Sequence, residues 1–136
     1  MPQSQKFYGA HPCFIANDVV QTAEFYRDRL GFSFNRYWGE PPCFVMLARG
    51  DVEFFFSAQP GAKSRPNYIV NCEIPWDAYV NVEDIEALHE EFKSRGVKIV
   101  RGPETMIYYR RELEVKDCNG YVICFAQDVS PPERNS

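Results

Sequence analysis

The chain has 136 residues, enough for one domain with a buried core and not comfortably enough for two. Hydrophobic residues make up 45% and charged residues 25%, which excludes a disordered chain, a collagen-like chain and a coiled coil. With 15 basic against 19 acidic side chains the net charge is -4, and neither a nucleic-acid footprint nor a polybasic membrane patch is present. The unusual figure is 15% aromatic, from 11 Phe, 8 Tyr and 2 Trp, more rings than a small core can hide. Some are expected to line a cleft or a subunit interface. The five cysteines, Cys13, Cys43, Cys72, Cys118 and Cys124, form no CxxC pair and match no disulfide framework. No signal peptide is evident at the start, and the longest apolar run, Cys43 to Ala48, is far short of the ~20 residues of a membrane helix. A reduced, cytoplasmic protein is expected.

In chain order, a short apolar stretch around Phe14 leads to Asp18, a candidate N-cap. Val19, Ala23, Tyr26 and Leu30 then recur on one helical face, and Gly31 stops the helix. Strand-patterned segments follow at Phe32 to Trp38, Cys43 to Ala48 and Val52 to Ser57, with Gly50-Asp51 as the tight turn between the last two. Pro60, Gly61, Pro66 and Pro75 mark a connector. The sequence then repeats itself. Asp84 caps a second helix striped by Ile85, Leu88 and Phe92, Gly96 ends it, and strands follow at Val97 to Val100, Tyr108 to Val115 and Tyr121 to Ala126.

Each half therefore reads β-α-β-β-β. An amphipathic helix covers one face of its sheet and leaves the other open. The expected fold is α+β: two paired βαβββ modules forming a curved mixed sheet around a concave cleft, helices outside. Module one spans about 9–58, the connector 59–76 and module two 77–128. Alternation sends Phe54 and Phe56 to the core and Glu53, Phe55 and Ser57 to the cleft. On the last strand Ile123 and Phe125 face the helix while Val122, Cys124 and Ala126 face the cleft. His11, Cys13 and Ile15 share a face, as do Asp77, Tyr79 and Asn81.

The run HPCFIANDVVQTAEFYRDRLGF, with Asp18, Phe25-Tyr26 and Leu30-Gly31-Phe32, resembles the first-module signature of the vicinal oxygen chelate superfamily. That superfamily includes glyoxalase I, bleomycin-resistance proteins and extradiol dioxygenases. LARGDVEFFFSAQPG looks like the strand-turn-strand of the bleomycin-resistance branch, and LEVKDCNGYVICFAQ is similar to the second-module close. There the usual Asp-Pro-Asp-Gly has Cys118 for proline and Asn119 for the second Asp. The resemblance covers about Gly9 to Asp128 and implies a dimer.

Metal-dependent members hold a divalent ion, a Lewis acid, on one side chain from the first and last strand of each module. Carried over by position, the resemblance gives His11, Phe55, Asp77 and Cys124. Phe55 cannot bind a metal. Zinc suits His11, Asp77 and Cys124 best, with Glu53 as a substitute for Phe55 after a register shift. No cofactor is favoured, because two conventional ligands of four is poor retention. Phe55 instead makes the cleft aromatic. Trp38, Phe55, Trp76, Tyr79, Tyr108 and Tyr109 are candidates to line it, with Arg110, Glu112 and Glu114 as polar anchors. The leading expectation is a homodimeric small-molecule-binding protein without a metal, of the antibiotic-sequestering kind. The alternative is a divalent-metal-dependent lyase, isomerase or dioxygenase, glyoxalase-I-like, in the same cleft. A third reading is a role in assembly or regulation only.

Overall fold

A computed structural model describes residues 4–132. In order, the elements are β1 (Cys13–Ile15), α1 (Val19–Leu30), β2 (Tyr37–Trp38), β3 (Phe44–Arg49), β4 (Val52–Ser57), a short 3-10 turn (Asn67–Ile69), β5 (Ala78–Asn81), α2 (Ile85–Ser94), β6 (Ile99–Thr105), β7 (Arg110–Lys116) and β8 (Val122–Asp128). The internal repeat is reproduced strand for strand. One sheet runs β1-β4-β3-β2 and the other β5-β8-β7-β6. In each, the first strand pairs parallel to the last and the others are antiparallel.

Both helices begin where a carboxylate meets free backbone donors. The Asp18 Oδ1 atom accepts from the N–H groups of Val20 and Gln21, at 2.9 and 3.0 Å. Asp84 accepts from the Ala87 N–H. Gly31, at φ 75°, ends α1 in the left-handed region that a Cβ disfavours. Asp18→Ala is expected to lower stability by about 1 kcal/mol in thermal melts, since two first-turn N–H groups lose their acceptor.

Val19, Ala23, Tyr26 and Leu30 of α1 are buried with Val45, Leu47, Phe54 and Phe56 of the first sheet. Ile85, Leu88 and Phe92 of α2 are buried with Leu113, Val115, Ile123 and Phe125 of the second. The two sets form one core, joined where Tyr121 stacks 4.8 Å from Phe14. A polar seam reinforces the joint. Tyr26 Oη donates to Asp117 Oδ2 at 2.7 Å, Asn119 Nδ2 donates to Thr22 Oγ1, and the Asn17 N–H donates to Asn119 Oδ1. Ser64 ties the connector into the same seam through the Asn119 carbonyl.

Three strands differ most from the sequence expectation. The segment expected as a strand over Phe32 to Trp38 keeps only Tyr37–Trp38 and a single bridge from Ser33 to Ala48. Phe32 is instead drawn into the core just past Gly31. The strand expected at Val97 to Val100 runs on to Thr105, because a bulge between Arg101 and Glu104 absorbs Gly102 and Pro103. Finally, β7 begins at Arg110 rather than Tyr108, since Tyr109 turns the hairpin at φ 61°. Each module contributes its own four-stranded mixed sheet. Among the described residues, no helix is long and apolar enough to cross a membrane.

Candidate functional site

Alternation on β7 and β8 decides what lies on the open face of the second sheet. Leu113, Val115, Ile123 and Phe125 go to the helix side, which leaves Arg110, Glu112, Glu114 and Cys124 on the other. Tyr79 of β5 pairs directly with Cys124 and joins that face. The result is a pocket of about 610 Å³, walled by Trp76, Tyr79 and Tyr108, with Ile74 and Met106 as apolar lining and Glu73, Glu104, Glu114, Arg101 and Arg110 as charged lining.

The floor of the pocket is a buried array of charges. Glu112 is 0% exposed and Glu114 4%. The Arg101 guanidinium reaches both: Nη2 donates to Glu112 Oε1 at 2.7 Å and to Glu114 Oε2 at 2.6 Å, and Nε donates to Glu114 Oε2 at 2.9 Å. Nη1 donates to Glu104 Oε2 at 2.9 Å. Tyr79 and Tyr108 both donate their hydroxyls to Glu112 Oε2 at 2.8 Å, and Trp76 Nε1 donates to Glu114 Oε2 at 2.8 Å. These bonds fix the orientation of all three aromatic walls.

Burial, and then Glu112, raises the Tyr79 phenol well above its ordinary value and pushes Tyr108 up to about 12. Both therefore stay protonated donors at neutral pH. Burial lowers the Arg101 pKa, but its bonds to Glu114, Glu112 and Glu104 more than reverse this, so the guanidinium is held firmly charged. Burial, followed by Glu112 and Glu114, raises the Cys124 thiol far above the usual range. It is thus a thiol at neutral pH, whereas the thiolate is the nucleophile and metal ligand.

The sequence-selected residues divide between the two sheets. Trp76, Tyr79, Arg110, Glu112 and Cys124 gather at this pocket or directly beneath it. Arg110 sits 6.0 Å from the centroid of the Tyr79 ring. Tyr109 is half exposed and does not line the pocket; Tyr108 does. Trp38 lies at the end of β2 under the Arg36 guanidinium, 3.9 Å from its ring centroid. Phe55 lies on the open face of the first sheet between His11, at 5.3 Å, and Phe44, at 5.7 Å. His11 Nε2 approaches Glu53 Oε1 to 3.7 Å on that same face. Asp77 spends both oxygens on backbone: Oδ1 accepts from the Asn67 N–H and Oδ2 from the Val122 N–H. Arg101 was not singled out in the sequence. The signal was there: two carboxylates alternating with Leu113 and Val115 need a cation, and hairpin pairing sets Arg101 opposite Glu114.

The chain matches the Glyoxalase/Bleomycin resistance protein/Dioxygenase superfamily over residues 10–125 and belongs to it. No curated protein sequence matches it. Among solved structures it resembles a bleomycin resistance determinant encoded on transposon Tn5, at 23% identity and TM-score 0.70, covering 90% of this chain and 98% of that one. It also resembles a bleomycin-binding protein complexed with bleomycin, at 22% identity and TM-score 0.69, covering 89% and 98%. A glyoxalase-related enzyme from Clostridium phytofermentans shares 15% identity at TM-score 0.73, covering 94% and 100%. These likenesses establish the fold.

A divalent ion is known in parts of this superfamily, and the donors here do not fit one. Phe55 stands at one ligand position, and the Asp77 oxygens hold backbone N–H groups. Among the described residues the only cluster of three donors is Glu112, Glu114 and Cys124, with atoms within 4.8 Å of one another. Both of its carboxylates already accept from the Arg101 guanidinium.

Proposed function

We propose that this chain is a small-molecule-binding protein whose pocket takes a planar, positively charged ligand without a metal ion and without turnover. One observation carries the reading. Three aromatic side chains, held by hydrogen bonds to the floor, surround a site with four carboxylates (Glu73, Glu104, Glu112, Glu114) against two guanidinium groups (Arg101, Arg110). Aromatic faces attract cations and stack on flat rings, and the surplus of negative charge selects against anions. Glu112 already accepts from Arg101, Tyr79 and Tyr108, so it is poorly placed to take a substrate proton. Sequestration of a cationic antibiotic fits this reading, and the likeness to a bleomycin-bound protein supports it.

A homodimer is part of the proposal. The open face of the first sheet leaves Ile15, Trp38 and Met46 about two-fifths exposed, an apolar surface suited to a second copy. Analytical ultracentrifugation reads this directly.

Ethidium, a planar aromatic cation, is a suitable probe for the pocket. Wild-type protein is expected to bind it with micromolar affinity, and Trp76→Ala to weaken binding at least about tenfold, since one stacking wall is lost. Affinity should fall as salt rises. If uncharged phenanthrene binds as tightly as ethidium, or if Trp76→Ala binds like wild type, this function is wrong.

A further inference from the structure

We infer that Arg101 is the resident cation of the site: its guanidinium takes the place that a divalent metal would hold against Glu112, Glu114 and Cys124, and it thereby keeps metal ions out. The inference rests on the metal-free binding reading above and names the residue responsible for it.

The cluster beneath the pocket has the makings of a metal site. Two carboxylates and a thiol, all buried, place donor atoms within 4.8 Å of one another. Buried carboxylates side by side need a positive charge between or against them. Here that charge is covalently attached. Arg101 donates to both carboxylates at 2.6 to 2.9 Å, and its remaining edge is turned to Glu104 and to Met106 Sδ at 3.4 Å.

The guanidinium is placed by the backbone rather than swung in from the surface. Arg101 pairs with Glu114 and Glu104 with Glu112 across the β6–β7 hairpin, with the bulge between them. Gly102, at φ +97°, lets β6 press directly on the Glu112 and Leu113 backbone. Trp76, Tyr79 and Tyr108 donate to the same carboxylates from the pocket side. A metal ion entering this site must therefore displace a tethered, multiply bonded cation. A flat organic cation resting on the aromatic walls need not.

The test compares wild type, Arg101→Lys, Arg101→Ala and Arg101→Ala/Cys124→Ser after dialysis against cobalt(II) and removal of the excess. Wild type and Arg101→Lys are expected to retain no cobalt. Arg101→Ala should retain one per chain, with the near-ultraviolet absorption of a cobalt–thiolate bond. The double variant should lose that absorption. Arg101→Ala that folds and stays metal-free overturns the inference, as does an unchanged absorption band in the double variant. Should Arg101→Ala fold only when refolded with cobalt, the inference stands; failure to refold with cobalt overturns it. Stoichiometric cobalt on wild type without the thiolate band places a metal elsewhere and contradicts the metal-free reading alone, whereas cobalt on wild type with that band overturns the inference, so the two failures are distinguishable.

Discussion

Gly102→Ala is expected to destabilise the protein by about 3 kcal/mol or more in urea denaturation, and to dismantle the charged floor of the pocket. Two effects add. The backbone at φ +97° is one that L side chains rarely adopt, and the new Cβ would drive into the Glu112 carbonyl oxygen while meeting Leu113 Cα at 3.2 Å. Those neighbours are main chain of β7, a central strand of the second sheet, and cannot swing aside as a side chain can. Relief requires β6 to lift from β7, which carries Arg101 away from Glu112 and Glu114. Gly50→Ala is the control. Its φ of +58° carries the left-handed cost, but its Cβ would meet nothing within 4 Å, so a loss of about 1 kcal/mol is expected there. A Gly102→Ala protein as stable as the Gly50→Ala protein contradicts the tight β6–β7 approach.

The second large effect lies in the seam between the modules. Asp117 is 6% exposed and accepts from Tyr26 Oη at 2.7 Å and from the N–H groups of Asn119 and Tyr121 at 2.8 and 2.9 Å. Asp117→Ala strands three buried donors, one on α1 and two in the β7–β8 turn, and is expected to lower stability by about 3 kcal/mol. Asp117→Asn is expected to be milder. Its Oδ1 can still accept both N–H groups, and its Nδ2 can donate to Tyr26 Oη.

The same residue gives a pH dependence whose sign is opposite to that of a salt-bridged acid. Burial raises the Asp117 pKa to about 6 against the bonds from Tyr26, Tyr121 and Asn119, and nearby Asp77 adds to the rise. A carboxyl with a raised folded-state pKa favours folding while protonated. Its contribution is full below its unfolded value of about 4 and is lost as pH rises through about 6. Relative to Asp117→Asn, wild type should therefore lose on the order of 3 kcal/mol over that window. Urea melts of both proteins across the window read this difference. A parallel pair of stability curves contradicts it.

How far the sequence could be read follows from where information is local. Helix caps depend on one side chain and the next three N–H groups, so Asp18, Asp84 and Gly31 were legible. Strict alternation told Phe54 and Phe56 from Glu53 and Phe55, and Ile123 and Phe125 from Cys124. The site was only partly legible because it depends on which elements meet. Trp38 and Phe55 lie on the first sheet while Trp76, Tyr79 and Glu112 meet on the second, and no spacing within one strand encodes that division. Tyr109 and Tyr108 differ by a single step. The left-handed backbone at Tyr109 leaves the pocket to its neighbour. Asp77 stands at a ligand position by count, yet two backbone donors on other segments claim its oxygens. Arg101 was hidden behind Gly102-Pro103, which reads as the end of a strand and folds as a bulge within one.

The most direct measurement of the central claim is a crystal structure of the wild-type protein soaked with ethidium. Density for the intact planar cation stacked among Trp76, Tyr79 and Tyr108, with Arg101 still bridging Glu112 and Glu114, is the predicted result. Density on the His11–Phe55 face instead, or a metal ion in place of the Arg101 guanidinium, would contradict it.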